Sequence, residues 1–263
     1  MKFIGRFLTL HGRGLYYFLA SCLLLGLVIL LFAGKISLFV AFLLLFIMPT
    51  LILLAINMRS YKYWMTFMTT LEADCDPYPL LEETEYMISK AKKGIPYFQV
   101  TLNYSIALMA TGQYEKALSV LKNLDFNKIP TLPHHNMFVY YNNLCTACAS
   151  NKQWEQMDIY RSKAEASYAC IKKQAFKKKF SDSMSFYQIF PLIQEKKYDE
   201  VEKALSSFIP KRGRESIMMA MILSEIHIGR GETEQAKEQL QYIIENGNKL
   251  YVVTEARQIL ETL

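Results

Sequence analysis

Apolar positions divide the chain into two unlike parts. Two uncharged runs come first, Leu15–Ala33 with 19 residues and Ile36–Ile56 with 21 residues. Each run, as a helix, is long enough to cross a hydrocarbon core of about 30 Å. Only Gly34 and Lys35 separate the runs, so they predict a tight transmembrane hairpin over residues 1–58, with spans at about 15–33 and 36–57.

The remaining residues show the periodicity of helices. Pro and Gly fall at separations that mark turns, and no stretch alternates apolar and polar residues as a strand would. One pattern recurs four times: a turn residue or Lys, an aromatic residue or Thr two positions later, and then acidic and small positions. Its four copies are Thr111–Leu121, Asn151–Arg161, Glu195–Leu205 and Arg230–Leu240. A single helix pair cannot bury its own apolar stripe, so the pairs are expected to stack.

The repeated pattern resembles the tetratricopeptide repeat (TPR) family. Together with the two apolar runs, it makes the chain resemble a membrane-anchored bacterial protein of that family. Gly112, Tyr114 and Ala117 match the turn glycine, the aromatic and the small residue of the repeat, and Ser105 matches the small residue of its first helix. The corresponding sets in the other units are Lys152, Trp154, Met157 and Cys145; Lys196, Tyr198, Val201 and Ile189; and Gly231, Thr233, Ala236 and Ser224.

The resemblance implies an all-α fold, in which an α-solenoid of about four degenerate helix pairs and a C-terminal capping helix follows the hairpin. The pairs are set at about 98–131, 138–171, 182–215 and 217–250, within a repeat domain at 98–263. Residues 59–97 are predicted as a helical connector or degenerate repeat, whose start continues the second span. Pro191 predicts that the first helix of the third pair is kinked or begins later.

Charge indicates topology rather than nucleic-acid binding. Residues 1–59 hold five basic residues and no acidic residue, which gives +5 of the total of +6. The remainder holds 25 basic and 24 acidic residues. Basic residues flank both ends of the hairpin, so both termini and the repeat domain are predicted to be cytoplasmic, at a bacterial cytoplasmic membrane. A cleaved signal peptide is the alternative, but the first run is long and a second span follows it at once.

Candidate chemistry in the sequence is sparse. Cys145 and Cys148 form a CxxC, which suggests redox chemistry or half of a zinc site, with His134 and His135 as conceivable further ligands. The alternative places both cysteines in the helix contact as small buried hydrophobic residues, and an odd number of cysteines fits a reducing compartment. No nucleotide-binding, phosphate-loop or metalloprotease motif is present. We therefore predict no catalytic residue, no metal and no cofactor, and a protein that is not an enzyme.

A basic cluster stands out in the otherwise nearly neutral part. It interleaves with Phe176 and Phe180 and consists of Lys172, Lys173, Lys177, Lys178 and Lys179. Such a cluster attracts anionic lipid or an acidic partner, with nucleic acid as the weakest option. The alternative is a solvated face at the end of a long second helix.

The resemblance also implies a partner site along the first helices. TPR arrays often bind an extended peptide on their concave face, and the predicted contact residues here are Asn103, Ile106, Asn142, Asn143, Tyr187, Met218 and Met221. The sequence therefore predicts a non-catalytic scaffold or adaptor that recruits a protein or peptide to the membrane. A peptide-sensing regulatory membrane protein and a subunit or assembly factor of a larger membrane complex remain as alternatives.

Overall fold

The chain forms two compact units, each of which is described separately. The computed structural model describes residues 2–92, 94–128, 132–206, 208–210 and 213–263, and it excludes the side chains of residues 128, 182 and 185–188. One unit comprises Met1–Met68 with Lys90–Lys92, and the other comprises Thr69–Ser89 with Lys93–Leu263.

Two long helices make the first unit. Helix α1 spans Lys2–Phe32 and helix α2 spans Leu38–Asp74, of which the part up to Met68 belongs to this unit. Gly34 lies in the turn between them with a φ of +64°, a conformation that glycine adopts without a steric penalty. Pro49 lies inside α2 without ending it, and α2 continues to Asp74, as predicted for the residues after the second apolar run.

Small residues bring the two helices together near the N-terminus. Gly12 lies against Ile56, where an added Cβ would approach the Ile56 side chain to 3.1 Å, and a Cβ at Gly5 would overlap the Tyr63 ring. The hydroxyls of Thr9 and Ser60 are 3.3 Å apart. Gly26 makes no such contact, because a Cβ added there would meet no described atom outside its own stretch of helix within 4 Å.

The apolar residues of α1 and α2 remain mostly on the surface. In the most apolar 18-residue stretch of each helix, only 6% is buried in α1 and 0% in α2. Both helices are long and apolar enough, by length and composition, to cross a membrane. A core helix of a soluble protein buries such residues, so these two helices differ from ordinary core helices.

The second unit consists of helix pairs. After α3 (Tyr78–Lys90), the first helices of the pairs are α4 (Ile95–Ala110), α6 (His134–Ser150), α8 (Gln174–Gln194) and α10 (Gly213–Arg230). Their partners are α5 (Tyr114–Lys122), α7 (Trp154–Ala169), α9 (Tyr198–Ser206) and α11 (Thr233–Asn246), and α12 (Val252–Leu260) packs on α11 as the capping helix. A 3₁₀ turn at Phe126–Lys128 follows α5. The described residues thus contain helices and no strand, which confirms the predicted all-α fold.

The internal repeat accounts for the core. The eight positions assigned to the small or central residue of each unit are all buried, with exposed fractions of 0–3%. They are Ser105, Cys145, Ile189 and Ser224 in the first helices and Ala117, Met157, Val201 and Ala236 in the second helices. Side chains of different size therefore occupy equivalent helix contacts.

The third pair begins earlier than the sequence predicts. Helix α8 starts at Gln174, eight residues before the expected start, and Pro191 lies in its last turn. The prediction of a later start is wrong because a proline close to the C-terminus leaves the preceding turns of the helix hydrogen-bonded. The early start also moves most of the basic cluster onto α8.

The turn inside every pair has the same backbone conformation. Gly112, Lys152, Lys196 and Gly231 all have positive φ, at 77°, 56°, 56° and 77°. In each turn the next residue donates its N–H to the carbonyl five residues earlier, for example Gln113 to Leu108 at 2.8 Å. This bond and the left-handed residue define a Schellman motif, and lysine adopts the conformation at two of the four turns.

We expect Lys152→Gly and Lys196→Gly to stabilise the repeat unit. A left-handed non-glycine residue costs about 1–2 kcal/mol, and the greater freedom of glycine in the unfolded chain offsets about 0.5–1 kcal/mol of that gain. The net expectation is a rise of about 0.5–1 kcal/mol in the free energy of unfolding for each substitution, measured by denaturant unfolding. Lys203→Gly, inside α9, is the control and should destabilise; a loss of stability at either turn would contradict the prediction.

Candidate partner-binding cavity and lysine surface

A cavity of about 290 Å³ lies within the second unit, between the end of α2 and the first helices of three pairs. One side is apolar, formed by Phe190, Phe208, Met218 and Ile222. The polar lining residues are Glu72, Asn142, Thr146, Ser183, Arg214 and Glu215. A lining that combines apolar side chains with polar groups is typical of a site that binds a small ligand or a single anchoring side chain.

An ion pair ties the end of α2 to the first turn of α10. Arg214 Nη1 donates to Glu72 Oε1 at 2.8 Å, and the two side chains are 24% and 11% exposed. Next to this pair, an added Cβ at Gly213 would lie 2.8 Å from the carbonyl oxygen of Ala73. Only a residue without a side chain fits this approach, so Gly213 allows α10 to begin against the carbonyl end of α2.

The segment between α11 and α12 closes the array. Asn248 Nδ2 donates to Asp74 O at 2.7 Å, and Lys249 donates its backbone N–H to Cys75 O at 3.2 Å. Two residues later the N–H of Tyr251 donates to Ala110 O at 3.0 Å. The C-terminal part of the unit therefore caps free carbonyls at the ends of α2 and α4.

The structure distributes the predicted partner-binding residues over different environments. Asn142 and Met218 line the cavity, whereas Asn103, Ile106 and Met221 are half-buried outside its lining. The side chain of Tyr187 lies outside the described residues. Sequence reasoning missed Glu72 and Arg214, because the repeat pattern assigns neither the end of α2 nor the N-terminus of α10 to the partner face.

Asn143 lies inside a helix contact. It is 3% exposed, and its Nδ2 donates to Leu102 O at 3.2 Å and to Ser105 Oγ at 3.1 Å. These bonds join α6 to α4 across the first two pairs. Its amide is used within the protein, so we do not include Asn143 in the proposed partner site.

Asn143→Ala is expected to lower the free energy of unfolding by about 1–3 kcal/mol, because it removes buried hydrogen bonds and leaves Ser105 with fewer partners. Asn103→Ala, at a half-buried position of α4, should change stability by less than about 0.5 kcal/mol. Thermal unfolding of both variants measures the difference. Equal destabilisation by the two alanines would show that Asn143 has no special structural role.

Comparison with known families assigns the repeat unit. The family model of the SusR N-terminal TPR domain matches residues 82–245. The chain belongs to this TPR family. Neither a comparison with curated proteins nor one with solved structures returned a match. TPR domains are typically non-catalytic modules for protein interaction, so the match indicates a role in protein–protein interaction.

The TPR packing explains the two cysteines of the CxxC. Cys145 and Cys148 are both 0% exposed on α6, and burial raises the pKa of Cys145 to about 12 and also raises that of Cys148. A thiol with a raised pKa holds little of the reactive thiolate at neutral pH. Among the described residues, no group of three or more His, Cys, Asp or Glu side chains is placed to hold a metal.

The basic cluster occupies the turn before α8 and the first turns of that helix. The alternative, in which the cluster lies at the end of a long second helix, is wrong because α7 stops at Ala169. Phe176 and Phe180 point into the TPR core: Phe176 stacks on His135 with ring centroids 4.2 Å apart, and Phe180 packs on Phe138 at 4.8 Å. Lys177 is half-buried, and the remaining four lysines are exposed.

His135 is expected to titrate below its ordinary pKa of 6.5. Burial lowers the pKa of His135, and the charges of Lys173 and Lys179 lower it further. Because the folded pKa is depressed for a base, His135 contributes stability that is present above pH 6.5 and is lost as the pH falls through that value. NMR titration of the imidazole in Lys173→Gln/Lys179→Gln should show a higher pKa than in the parent, whereas Lys203→Gln should leave it unchanged.

Proposed function

We propose that this protein is a membrane-anchored cytoplasmic TPR scaffold that recruits a protein or peptide partner to the membrane, without catalysis. The observation that carries the proposal is the cavity of about 290 Å³ on the first helices of a TPR array, in a chain with two long exposed apolar helices. A binding site in a family of interaction modules supports recruitment, and the apolar helices support anchoring.

The exposed apolar surface of α1 and α2 supports the anchor. A soluble protein that left the apolar residues of α1 and α2 in water would aggregate, whereas a bilayer covers them. The excess of Lys and Arg at both ends of the hairpin supports a cytoplasmic location for both termini. In this proposal the TPR unit works at the inner surface of a bacterial cytoplasmic membrane.

The lining of the cavity favours a single large apolar side chain of the partner together with its neighbouring peptide groups. An engineered cavity of about 150 Å³ accommodates benzene, so the volume here admits an aromatic or long aliphatic group with part of a backbone. Phe190, Met218 and Ile222 provide apolar contact, and methionine adapts to different shapes. Ser183 offers a hydroxyl group that both donates and accepts hydrogen bonds.

Two exposed apolar residues on α10 allow a matched test. Met218 lines the cavity and is 38% exposed, whereas Ile228 is 37% exposed and lies outside the lining. The full chain, cross-linked in cells and purified from membranes, should retain its partner after Ile228→Asp and lose it by at least about tenfold after Met218→Asp, since a charge in an apolar pocket is strongly unfavourable. Equal recovery with both variants would reject the cavity as the partner site.

The anchor and its topology require a separate measurement. Alkaline carbonate should leave the chain in the membrane pellet, and protease should digest the TPR unit in inverted vesicles but not in intact spheroplasts. Release by carbonate would reject the anchor, and digestion from outside the spheroplast would reject the cytoplasmic orientation. Neither result depends on knowing the partner.

A peptide-sensing regulatory role is the second candidate, and one contact favours it. Glu72, at the end of the helix that also carries the second apolar run, lines the same cavity as Met218. A ligand in the cavity would therefore contact the end of α2 directly. Ligand-dependent protease protection of residues 69–76 would favour sensing over passive recruitment, and unchanged protection would favour the scaffold.

A further inference from the structure

Four exposed lysines fall within residues 172–179, in the turn before α8 and in the first turns of that helix. We call Lys172, Lys173, Lys178 and Lys179 the lysine surface. No acidic residue occurs between Glu165 and Asp182, and no described carboxylate pairs with any of these four side chains. Their charge is thus uncompensated locally, although the chain after residue 59 is nearly neutral overall.

We infer that the lysine surface binds the anionic face of a lipid bilayer. The inference rests on the proposed membrane anchor, which would keep this surface close to lipid. Each lysine near an anionic membrane strengthens association by roughly fivefold, so four lysines contribute on the order of several hundredfold. An attraction of this kind requires no pocket, and these lysines do not line the cavity between α2, α6, α8 and α10.

The inward position of the aromatic rings favours lipid over single-stranded nucleic acid. Proteins that bind single strands stack bases on exposed aromatic side chains. Here Phe176 and Phe180 are half-buried, with the ring of Phe176 on His135 and that of Phe180 on Phe138, so each ring is already engaged in a contact within the protein. The fully exposed side chains of this segment are mainly lysines, which cannot stack bases.

The residue type favours a diffuse anionic surface over a specific acidic peptide. All four residues are lysine, a flexible point charge, whereas arginine is preferred for bidentate recognition of carboxylate or phosphate groups. Lys172 and Lys173 lie in the turn and Lys178 and Lys179 on the helix. Because the charges are spread over these two elements, they favour electrostatic attraction to many lipid headgroups over binding of a single anion.

Cys170 can carry a reporter beside the lysine surface, because the other cysteines of the TPR unit are buried. Cys170 is exposed and lies two residues before Lys172, while Cys75, Cys145 and Cys148 are buried. In a Cys22→Ser background, a fluorophore on Cys170 therefore reports from the edge of the lysine surface. The full chain is reconstituted into nanodiscs that carry a nitroxide-labelled lipid as a quencher at the headgroup level.

The experiment compares two lipids and two charge variants. We expect the Cys170 label to be quenched strongly in discs that contain phosphatidylglycerol and weakly in discs of pure phosphatidylcholine. The quenching in phosphatidylglycerol should fall at high salt, because ions screen exposed charges. Lys172→Gln/Lys178→Gln should weaken the association that this change reports by roughly 25-fold, at about fivefold for each lysine. Lys122→Gln/Lys203→Gln removes the same charge from exposed positions elsewhere and should leave the change intact.

Each other outcome overturns the inference. Equal quenching in both lipids, or an equal loss of quenching with both charge variants, would mean that the lysine surface does not bind anionic lipid through its charge. A response to added polyglutamate or oligonucleotide, but not to phosphatidylglycerol, would indicate a soluble polyanion as the partner. Failure of the chain to stay in the disc at high salt would instead reject the anchor, so the two failures are distinguishable.

Discussion

Gly112→Ala is expected to lower the free energy of unfolding of the TPR unit by about 1.5–4 kcal/mol. A left-handed alanine costs about 0.5–1 kcal/mol after its lower freedom in the unfolded chain is taken into account, and overpacking adds about 1–3 kcal/mol. The overpacking arises because an added Cβ would overlap the ring of Tyr251, which lies over the turn between α4 and α5. Tyr251 also stacks edge-on against Tyr114 at 6.0 Å, which restricts its freedom to move away.

Gly231→Ala is the matched control. Gly231 occupies the equivalent turn of the fourth pair with the same φ of +77°, but an added Cβ there would meet no described atom within 4 Å. Its expected cost is therefore the backbone term alone, about 0.5–1 kcal/mol after the lower freedom of alanine in the unfolded chain is taken into account. Denaturant unfolding of both variants in detergent isolates the contact with Tyr251, and equal losses would show that this contact contributes nothing.

Arg214→Met is expected to destabilise the junction between α2 and α10 by about 2–3 kcal/mol. Removing one partner from a buried ion pair costs about 3–5 kcal/mol because the remaining charge stays desolvated, and the partial exposure of Arg214 reduces that figure. Hydrogen exchange should increase first at residues 70–76 and 248–251, where the end of α2 is held. Exchange that is unchanged there would contradict a structural role for the pair.

A double substitution tests whether the cost comes from the stranded carboxylate. Glu72→Gln/Arg214→Met replaces both charges, so it should recover part of the stability that Arg214→Met loses. Arg230→Met is the control on the same helix, since Arg230 pairs with Asp199 and Glu202 at the other end of α10. Its effect should be smaller, because Asp199 is almost fully exposed and solvent screens the pair.

Local signals allowed much of the repeat to be predicted from sequence. Lys152 and Lys196 align with Gly112 and Gly231, and all four residues adopt the left-handed turn. Each pair also buries its assigned small or central positions, even where Ile189 or Met157 replaces a small residue. These features depend on neighbours within about 34 residues, the length of one TPR unit.

The cavity and its ion pair depend on contacts between residues far apart in sequence, which a local sequence pattern does not predict. Glu72 meets Arg214 across 142 positions of sequence, and this meeting depends on the curvature accumulated over the three helix pairs between them. Small rotations between irregular pairs add up along such an array. The sequence pattern also placed Asn143 on the partner face, because spacing alone does not separate a rim residue from one in the next helix contact.

The long-range capping of α2 has a consequence for synthesis. Asn248 caps Asp74 from 174 positions further along the chain. At about 5–20 residues per second, a ribosome needs about 9–35 s to make that stretch. During this interval the carbonyl end of α2 and the thiol of Cys75 lack their final cover. A chaperone that protects the nascent chain should therefore bind most tightly around residues 69–76, and an early stop codon before Asn248 should leave this site permanently open to proteolysis.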